Sequence, residues 1–178
     1  MKTFYRATRL FTAEKFLDNA LFSVENGVFH LETSTTGSVI ELDGLVAPGF
    51  IDVQVNGGGG AFFNAEQSTQ CLDRIAKAHG QFGTTALMPT LITDKVETMQ
   101  AAADATAKAI CEGVAGVLGI HFEGPHLSFP KKGTHSEQFI RPISEQEFAI
   151  YARQDLGIKM VTLAPENVSI ADIERLVA

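Results

Sequence analysis

Tryptophan is absent from this 178-residue chain, cysteine occurs only twice, and no apolar run approaches the length needed to cross a bilayer. Each shortage excludes something. Cys71 and Cys111 stand too far apart in sequence for a zinc-ligand pair, and two thiols do not make a disulfide framework. A reducing cytoplasm is the compartment they suggest. The first residues, Met1-Lys2-Thr3-Phe4-Tyr5-Arg6, lack the apolar core of a signal peptide. Basic residues are outnumbered, 14 Lys and Arg against 21 Asp and Glu, for a net charge of −7. A nucleic-acid binder would show a basic stripe, and an anionic membrane would not attract such a chain. Histidine, too, runs out: none follows His135. The expectation is a soluble cytoplasmic protein with a small-molecule partner, no nucleic acid and no membrane.

What is present falls into two textures. Residues 1–46 hold short, partly alternating runs separated by turn residues. Asn26-Gly27 lies between two β-prone runs, which is a strong hairpin signal. Another run, Ser38 to Leu42, precedes Asp43-Gly44. This pattern predicts a small antiparallel sheet. From residue 47 to 178, apolar strands alternate with helical stretches. Strands are expected at 45–53, 84–90, 116–122 and 159–164, and helices at 68–82, 94–111, from Ser144 and from Ser169. Ser144-Glu145-Gln146-Glu147 fits a capping box. Pro89 is expected to stop the second strand, and residues 124–142 to form a polar loop. Repeated β/α units predict an α/β fold with a parallel sheet. Four units suit an open doubly wound sheet or the first part of a (β/α)8 barrel, which needs at least about 200 residues to close.

In parallel β/α folds the chemistry gathers past the carboxyl ends of the strands. The first strand runs into Asp52-Val53-Gln54-Val55-Asn56 and then four glycines. Side chains alternate along a strand, so Asp52, Gln54 and Asn56 share a face. A pocket floor and a plain turn both explain them. The glycines do not match the dinucleotide-binding pattern. The third strand ends in His121-Phe122-Glu123, which puts His121 and Glu123 on one face. A buried carboxylate without a neighbouring Lys or Arg calls for a compensating charge, and a divalent metal is one source. His-x-Glu alone does not make a site. Lys131-Lys132-Gly133-Thr134-His135 could gather an anion such as a phosphate ester, though taken alone it reads first as a solvated basic loop. Glu166 and Asn167 read as residues that cap the next helix, with Asn167 or Ser169 at the N-cap.

In order along the chain, Val46-Ala47-Pro48-Gly49-Phe50-Ile51-Asp52-Val53-Gln54-Val55-Asn56-Gly57, Thr84-Thr85-Ala86-Leu87-Met88-Pro89-Thr90, His121-Phe122-Glu123-Gly124-Pro125-His126-Leu127, Lys131-Lys132-Gly133-Thr134-His135 and Val161-Thr162-Leu163-Ala164-Pro165-Glu166 resemble the N-terminal half of the N-acetylglucosamine-6-phosphate deacetylase family, within the amidohydrolase superfamily. The resemblance implies the first four or so units of a (β/α)8 barrel over 47–178, preceded by part of a small β-sandwich over 1–46. It implies hydrolysis of the N-acetyl group of N-acetylglucosamine-6-phosphate to glucosamine-6-phosphate and acetate. By the same matches, Glu123 is the metal ligand, Thr134 and His135 contact the substrate, and Gln54, Asn56 and His121 line the pocket. Zinc is the default metal, with iron, cobalt or manganese as alternatives. The resemblance places the other metal ligands and the general-base Asp beyond Ala178, so it assigns no catalytic residue to this chain and implies an inactive fragment. A half barrel with uncovered apolar edges is expected to form homo-oligomers. The competing readings are a related amidohydrolase of different substrate and a non-catalytic α/β small-molecule-binding module.

Overall fold

The computed structural model describes residues 1–177, and Ala178, where the last expected helix runs to the end of the sequence, lies outside them. The chain divides into two units, Met1–Gly49 and Phe50–Ala178.

In the first unit, β1 (Lys2–Phe11), β2 (Phe16–Glu25), β3 (Val28–Leu31) and β4 (Val39–Val46) form one sheet in the order β3-β2-β1-β4. The β2–β3 turn forms as Asn26-Gly27 predicts, with φ of 51° and 78°. Both central residues of a type I′ turn need positive φ, which Asn and Gly tolerate. The sheet is not wholly antiparallel as expected, because β4 runs parallel to β1. Turn residues report pairing only between sequence neighbours. The position of β4 is instead set by burial: Leu42 and Val46 pack on the cluster of Ala7, Leu10, Ala20 and Phe22. Phe22 stacks between Tyr5 and Phe29, with ring centroids 5.2 and 5.0 Å away.

In the second unit the elements follow as β5 (Phe50–Val55), the short strands β6 (Gly57–Gly58) and β7 (Ala61–Phe62), α1 (Thr69–Gly80), β8 (Thr84–Ile92), α2 (Val96–Cys111), β9 (Gly119–Glu123), α3 (Glu145–Tyr151), β10 (Ile158–Thr162) and α4 (Ile170–Val177). Four strands make a parallel sheet in the order β10-β9-β8-β5. The fold is α/β. Leu87, Leu91, Ile120 and Phe122 share a core with Leu72 and Ile75 of α1, Met99, Ala102, Ala103 and Ala109 of α2, and Ile150 and Tyr151 of α3. Removing each large side chain from water contributes roughly 2 kcal/mol. The alanines of α2 favour helix and let it sit close to its neighbours.

Helix starts follow their local signals. Ser68 Oγ accepts from Cys71 N–H at 3.0 Å. The capping box is complete, with Ser144 Oγ accepting from Glu147 N–H and Glu147 Oε2 from Ser144 N–H. Ser169 Oγ accepts from Asp172 N–H ahead of α4, while Asn167 donates to the Leu127 carbonyl. Pro89, by contrast, does not stop β8. The ladder absorbs the missing N–H: β5 and β8 slip in register between Asp52 and Val55, and Val55 N–H donates to the Thr90 hydroxyl at 3.0 Å. Strand β9 begins at Gly119, later than the apolar run suggests, because residues 114–117 turn and only Val117 bridges to β8. Among the described residues no helix is long and apolar enough to cross a membrane. The two outer strands carry exposed Phe50, Ile51, Val53 and Ile158.

Candidate active site

Register decides what meets at the carboxyl ends of the strands. Thr90 pairs with His121, Ile92 with Glu123, and Thr162 with Glu123 from the other side. Alternation then sends Ile120 and Phe122 to the helices and puts His121 and Glu123 on the opposite face.

His121 is buried and fully committed. A carbonyl can only accept, so Nδ1–H donates to the Val53 carbonyl at 3.1 Å, with Thr90 Oγ1 at 3.3 Å. Nε2 therefore accepts from the Thr162 hydroxyl at 2.8 Å. One ring on β9 ties β5, β8 and β10 together. Burial pushes its pKa below the ordinary histidine value, against partial opposition from Glu123 and the Val53 carbonyl.

Glu123, the last residue of β9, keeps about a fifth of its side chain exposed. Facing it is His135, whose Nε2 lies 3.7 Å from Glu123 Oε1. His135 reaches this point from the loop because Thr93, just past β8, holds its other nitrogen: the Thr93 hydroxyl lies 2.8 Å from Nδ1 and the Thr93 N–H donates to it at 3.4 Å. Thr134 precedes it and is exposed. Lys132 faces Glu137 at 3.4 Å, whereas among the described residues Lys131 has no carboxylate partner. Asn56 is half-buried and donates weakly to the Thr90 carbonyl, and Gln54 is exposed on the outer strand β5. The geometry thus brings together Glu123 and His135, sets His121 on β9 and Asn56 just past the end of β5, and leaves Gln54 and Thr134 at the surface.

The glycine patch has a packing role. A Cβ at Gly58 would meet the His79 ring at 2.9 Å, and one at Gly59 would meet Ala78 at 3.2 Å. The Gly57 carbonyl accepts from His79 Nε2–H at 2.9 Å. Close approach of this backbone to α1 is what demands glycine here.

Several residues escaped the sequence reading. Asn64 clamps the end of β8, accepting from Ile92 N–H and donating to the Ile92 carbonyl and Asp94. Arg141 donates to Glu147 Oε1 at 2.8 Å and to the Asp94 and Phe139 carbonyls, which closes the loop after Glu123. His126 is wholly buried, donating through Nδ1 to the Arg141 carbonyl at 2.9 Å and accepting from the Tyr151 hydroxyl at 3.0 Å. None of these has a local signature: most partners are distant in sequence or belong to the backbone, and Arg141 and Glu147, six residues apart, meet only because the loop and α3 fold against each other.

The donor chemistry suits a cation in one respect. Glu123 is a partly buried carboxylate facing an imidazole and no Lys or Arg, so a cation would complete its charge. One carboxylate and one imidazole fall short of the three protein ligands of a catalytic zinc. Among the described residues no group of three His, Cys, Asp or Glu is arranged to hold a metal.

No family model matches the chain. Curated relatives do. It is 56% identical over 135 residues to N-acetylgalactosamine-6-phosphate deacetylase of Shewanella sp. (strain ANA-3), which covers 76% of this chain and 34% of that protein. It is 32% identical over 148 residues to N-acetylglucosamine-6-phosphate deacetylase of Haemophilus influenzae, covering 83% of this chain and 39% of that one. The chain is a homologue of the amino-sugar-6-phosphate deacetylases. It spans between a third and a half of the length of these curated relatives. Among solved structures, the N-acetylglucosamine-6-phosphate deacetylase from Pasteurella multocida matches with a TM-score of 0.89 at 30% identity, over 99% of this chain and 48% of that one. A Mycobacterium smegmatis N-acetyl-D-glucosamine-6-phosphate deacetylase variant, in complex with N-acetyl-D-glucosamine-6-phosphate, matches with a TM-score of 0.86 at 26% identity, over 99% and 47%. The resemblance to the N-terminal half of such deacetylases agrees with these partial matches.

The two buried histidines predict a stability that depends on pH. His126, like His121, is held below its ordinary pKa by burial, with the Arg141 carbonyl and the Glu147 charge opposing and the Arg141 guanidinium reinforcing. The unfolded chain therefore binds more protons below about pH 6.5, and stability falls as pH drops through that value. Each histidine contributes a slope of at most about 1.4 kcal/mol per pH unit. Thermal unfolding at pH 7.5, 6.5 and 5.5 checks this, and His126→Gln should flatten the fall. Carboxylates held down by their partners, such as Glu145 beside Arg175 and Asp155 beside Arg153, add acid lability of the same sign only in the carboxylate range.

Proposed function

We propose that this chain supplies the amino-terminal part of a metal-dependent deacetylase that hydrolyses the N-acetyl group of an N-acetylhexosamine-6-phosphate, giving the free amino sugar phosphate and acetate. The four-stranded sheet is then the first part of a (β/α)8 barrel, residues 47–178, and residues 1–46 are part of a β-sandwich. The observation that carries the reading is the meeting of Glu123 with His135 at the carboxyl ends of the parallel strands, on a chain homologous to such enzymes.

Within it, Glu123 is one ligand of a divalent metal, zinc by default and iron, cobalt or manganese as alternatives. Held in part by Glu123, such a metal would supply Lewis-acid chemistry, lowering the pKa of a water and polarising the amide carbonyl. His135 keeps its Nδ1 occupied by Thr93, so it offers Nε2–H to a substrate oxygen and is no second ligand. Thr134 precedes it, and both Thr134 and Lys131 stand exposed on the same loop, suited to the sugar phosphate. Asn56 and Gln54 border the pocket, and His121 braces its floor without entering the chemistry, both its nitrogens being engaged. The two free cysteines suit a reducing cytoplasm, and the exposed apolar residues on the outer strands suit homo-oligomers.

A second reading changes the sugar. The 56% identity to the Shewanella relative favours N-acetylgalactosamine-6-phosphate over its 4-epimer. The experiment is an NMR titration of the 178-residue chain with each sugar phosphate, with and without zinc, alongside an acetate-release assay. Expected are shifts at Thr134 and His135 with one epimer preferred, zinc-dependent shifts near Glu123 that Glu123→Gln abolishes, and no acetate release from this polypeptide alone. Neither sugar phosphate perturbing that cluster at millimolar concentration would sink the substrate reading. Acetate release at an enzymatic rate would overturn the inactivity.

A further inference from the structure

Thr93 sits where three segments meet. It follows β8, its hydroxyl lies 3.3 Å from the Glu123 carbonyl at the end of β9, and both its N–H and its hydroxyl face His135 Nδ1 on the loop. It is 5% exposed, so water does not compete for these bonds. The packing is close enough that any Cβ at residue 124 would collide with Thr93 Oγ1.

The donor count decides what this does to the ring. A backbone N–H can only donate, so the Nδ1 it faces must carry a lone pair. The hydroxyl has one hydrogen. Donating it to the Glu123 carbonyl at 3.3 Å would leave two lone pairs opposed across the 2.8 Å gap to Nδ1. Donation to Nδ1 removes that repulsion and makes the shorter bond. With Nδ1 accepting, the ring proton resides on Nε2, which is the nitrogen 3.7 Å from Glu123.

We propose that Thr93 is the positioning residue of His135, fixing both the ring's orientation and its Nε2–H tautomer so that an N–H donor is presented beside Glu123. The proposal rests on the reading of His135 as a substrate contact for its purpose, but not for its geometry. The tautomer is set by what the second ring nitrogen bonds, a general rule for histidines at functional sites.

The test is ring-nitrogen NMR of the chain at a pH where the imidazoles are neutral, on the native protein, Thr93→Val and Thr93→Ser. Native protein and the serine variant should show one His135 tautomer, protonated at Nε2. The valine variant loses the 2.8 Å hydroxyl bond and keeps only the long 3.4 Å N–H contact, too weak to hold the ring alone, so it should lose the single-tautomer pattern. Its affinity for the preferred hexosamine-6-phosphate should fall up to about tenfold, the effect of losing one orienting hydrogen bond, and serine should restore it. An unchanged tautomer in Thr93→Val overturns the proposal whatever happens to affinity, because a merely structural threonine would leave the ring pattern intact. A lost tautomer in a chain that binds neither sugar phosphate leaves the positioning role standing and sinks the substrate reading instead. Dispersed amide spectra establish that each variant is folded, and serine decides the matter if valine is not.

Discussion

Arg141→Met is expected to lower the stability of the second unit by about 3 kcal/mol, a drop on the order of 10 °C in midpoint. The reason is what it leaves behind. Glu147 is completely buried, and Arg141 meets its Oε1 through Nε and a terminal nitrogen, both at 2.8 Å. Removing one partner of a buried ion pair strands the other charge in a medium that cannot solvate it, at a cost of about 3–5 kcal/mol. The lower end applies because Ser144 still donates to Glu147 through its N–H and hydroxyl. Arg141 also holds the Asp94 and Phe139 carbonyls, so the loop bearing Thr134 and His135 should loosen with it. Urea unfolding with an unchanged slope and a lowered midpoint checks the first part, and faster amide exchange in residues 128–140 the second. Replacing Glu147 and Arg141 together by Leu and Met should recover much of the loss, since the stranded charge is gone. A double variant as unstable as Arg141→Met would show that geometry, and not charge, is at issue.

Gly124→Ala should cost about 2–4 kcal/mol, combining a conformational penalty with overpacking. Gly124 has φ of +85°, a region that L side chains rarely adopt. A Cβ there would strike Thr93 Oγ1 and lie 3.1 Å from Leu127. The displaced Thr93 is the group that holds His135, so damage to the site should exceed that expected from stability alone. A variant folded at low temperature should therefore still show a disturbed His135 ring spectrum. An alanine variant with native stability and a native His135 signal would contradict both the strain and the contact. Gly133, also at positive φ but with open space around its missing Cβ, is the control: Gly133→Ala carries the conformational cost without the collision.

These effects mark the boundary of sequence reading for this protein. The alternation of apolar runs with helical stretches foretold the α/β order, because each strand and helix buries one face and its period shows in the residues themselves. Ser144 and Glu147 announced a capping box for the same reason: both partners lie within one turn. His121 and Glu123 on a common face followed from strand alternation alone. Pro89 misled, since its missing N–H is a local fact whereas its accommodation depends on Thr90 and a register slip against another strand.

Local chemistry thus determined which segments are strands and helices, and which residues could carry chemistry. Tertiary structure alone decided how those residues are employed. β4 runs parallel to β1 because Leu42 and Val46 find a core there, not because of any turn. His121 is spent on bracing three neighbouring strands, and His135 faces Glu123 because Thr93, forty-two residues earlier, occupies its other nitrogen. A hydrogen bond is selected by distance and direction in space, and nothing in the order of residues along a chain encodes which remote donor will arrive.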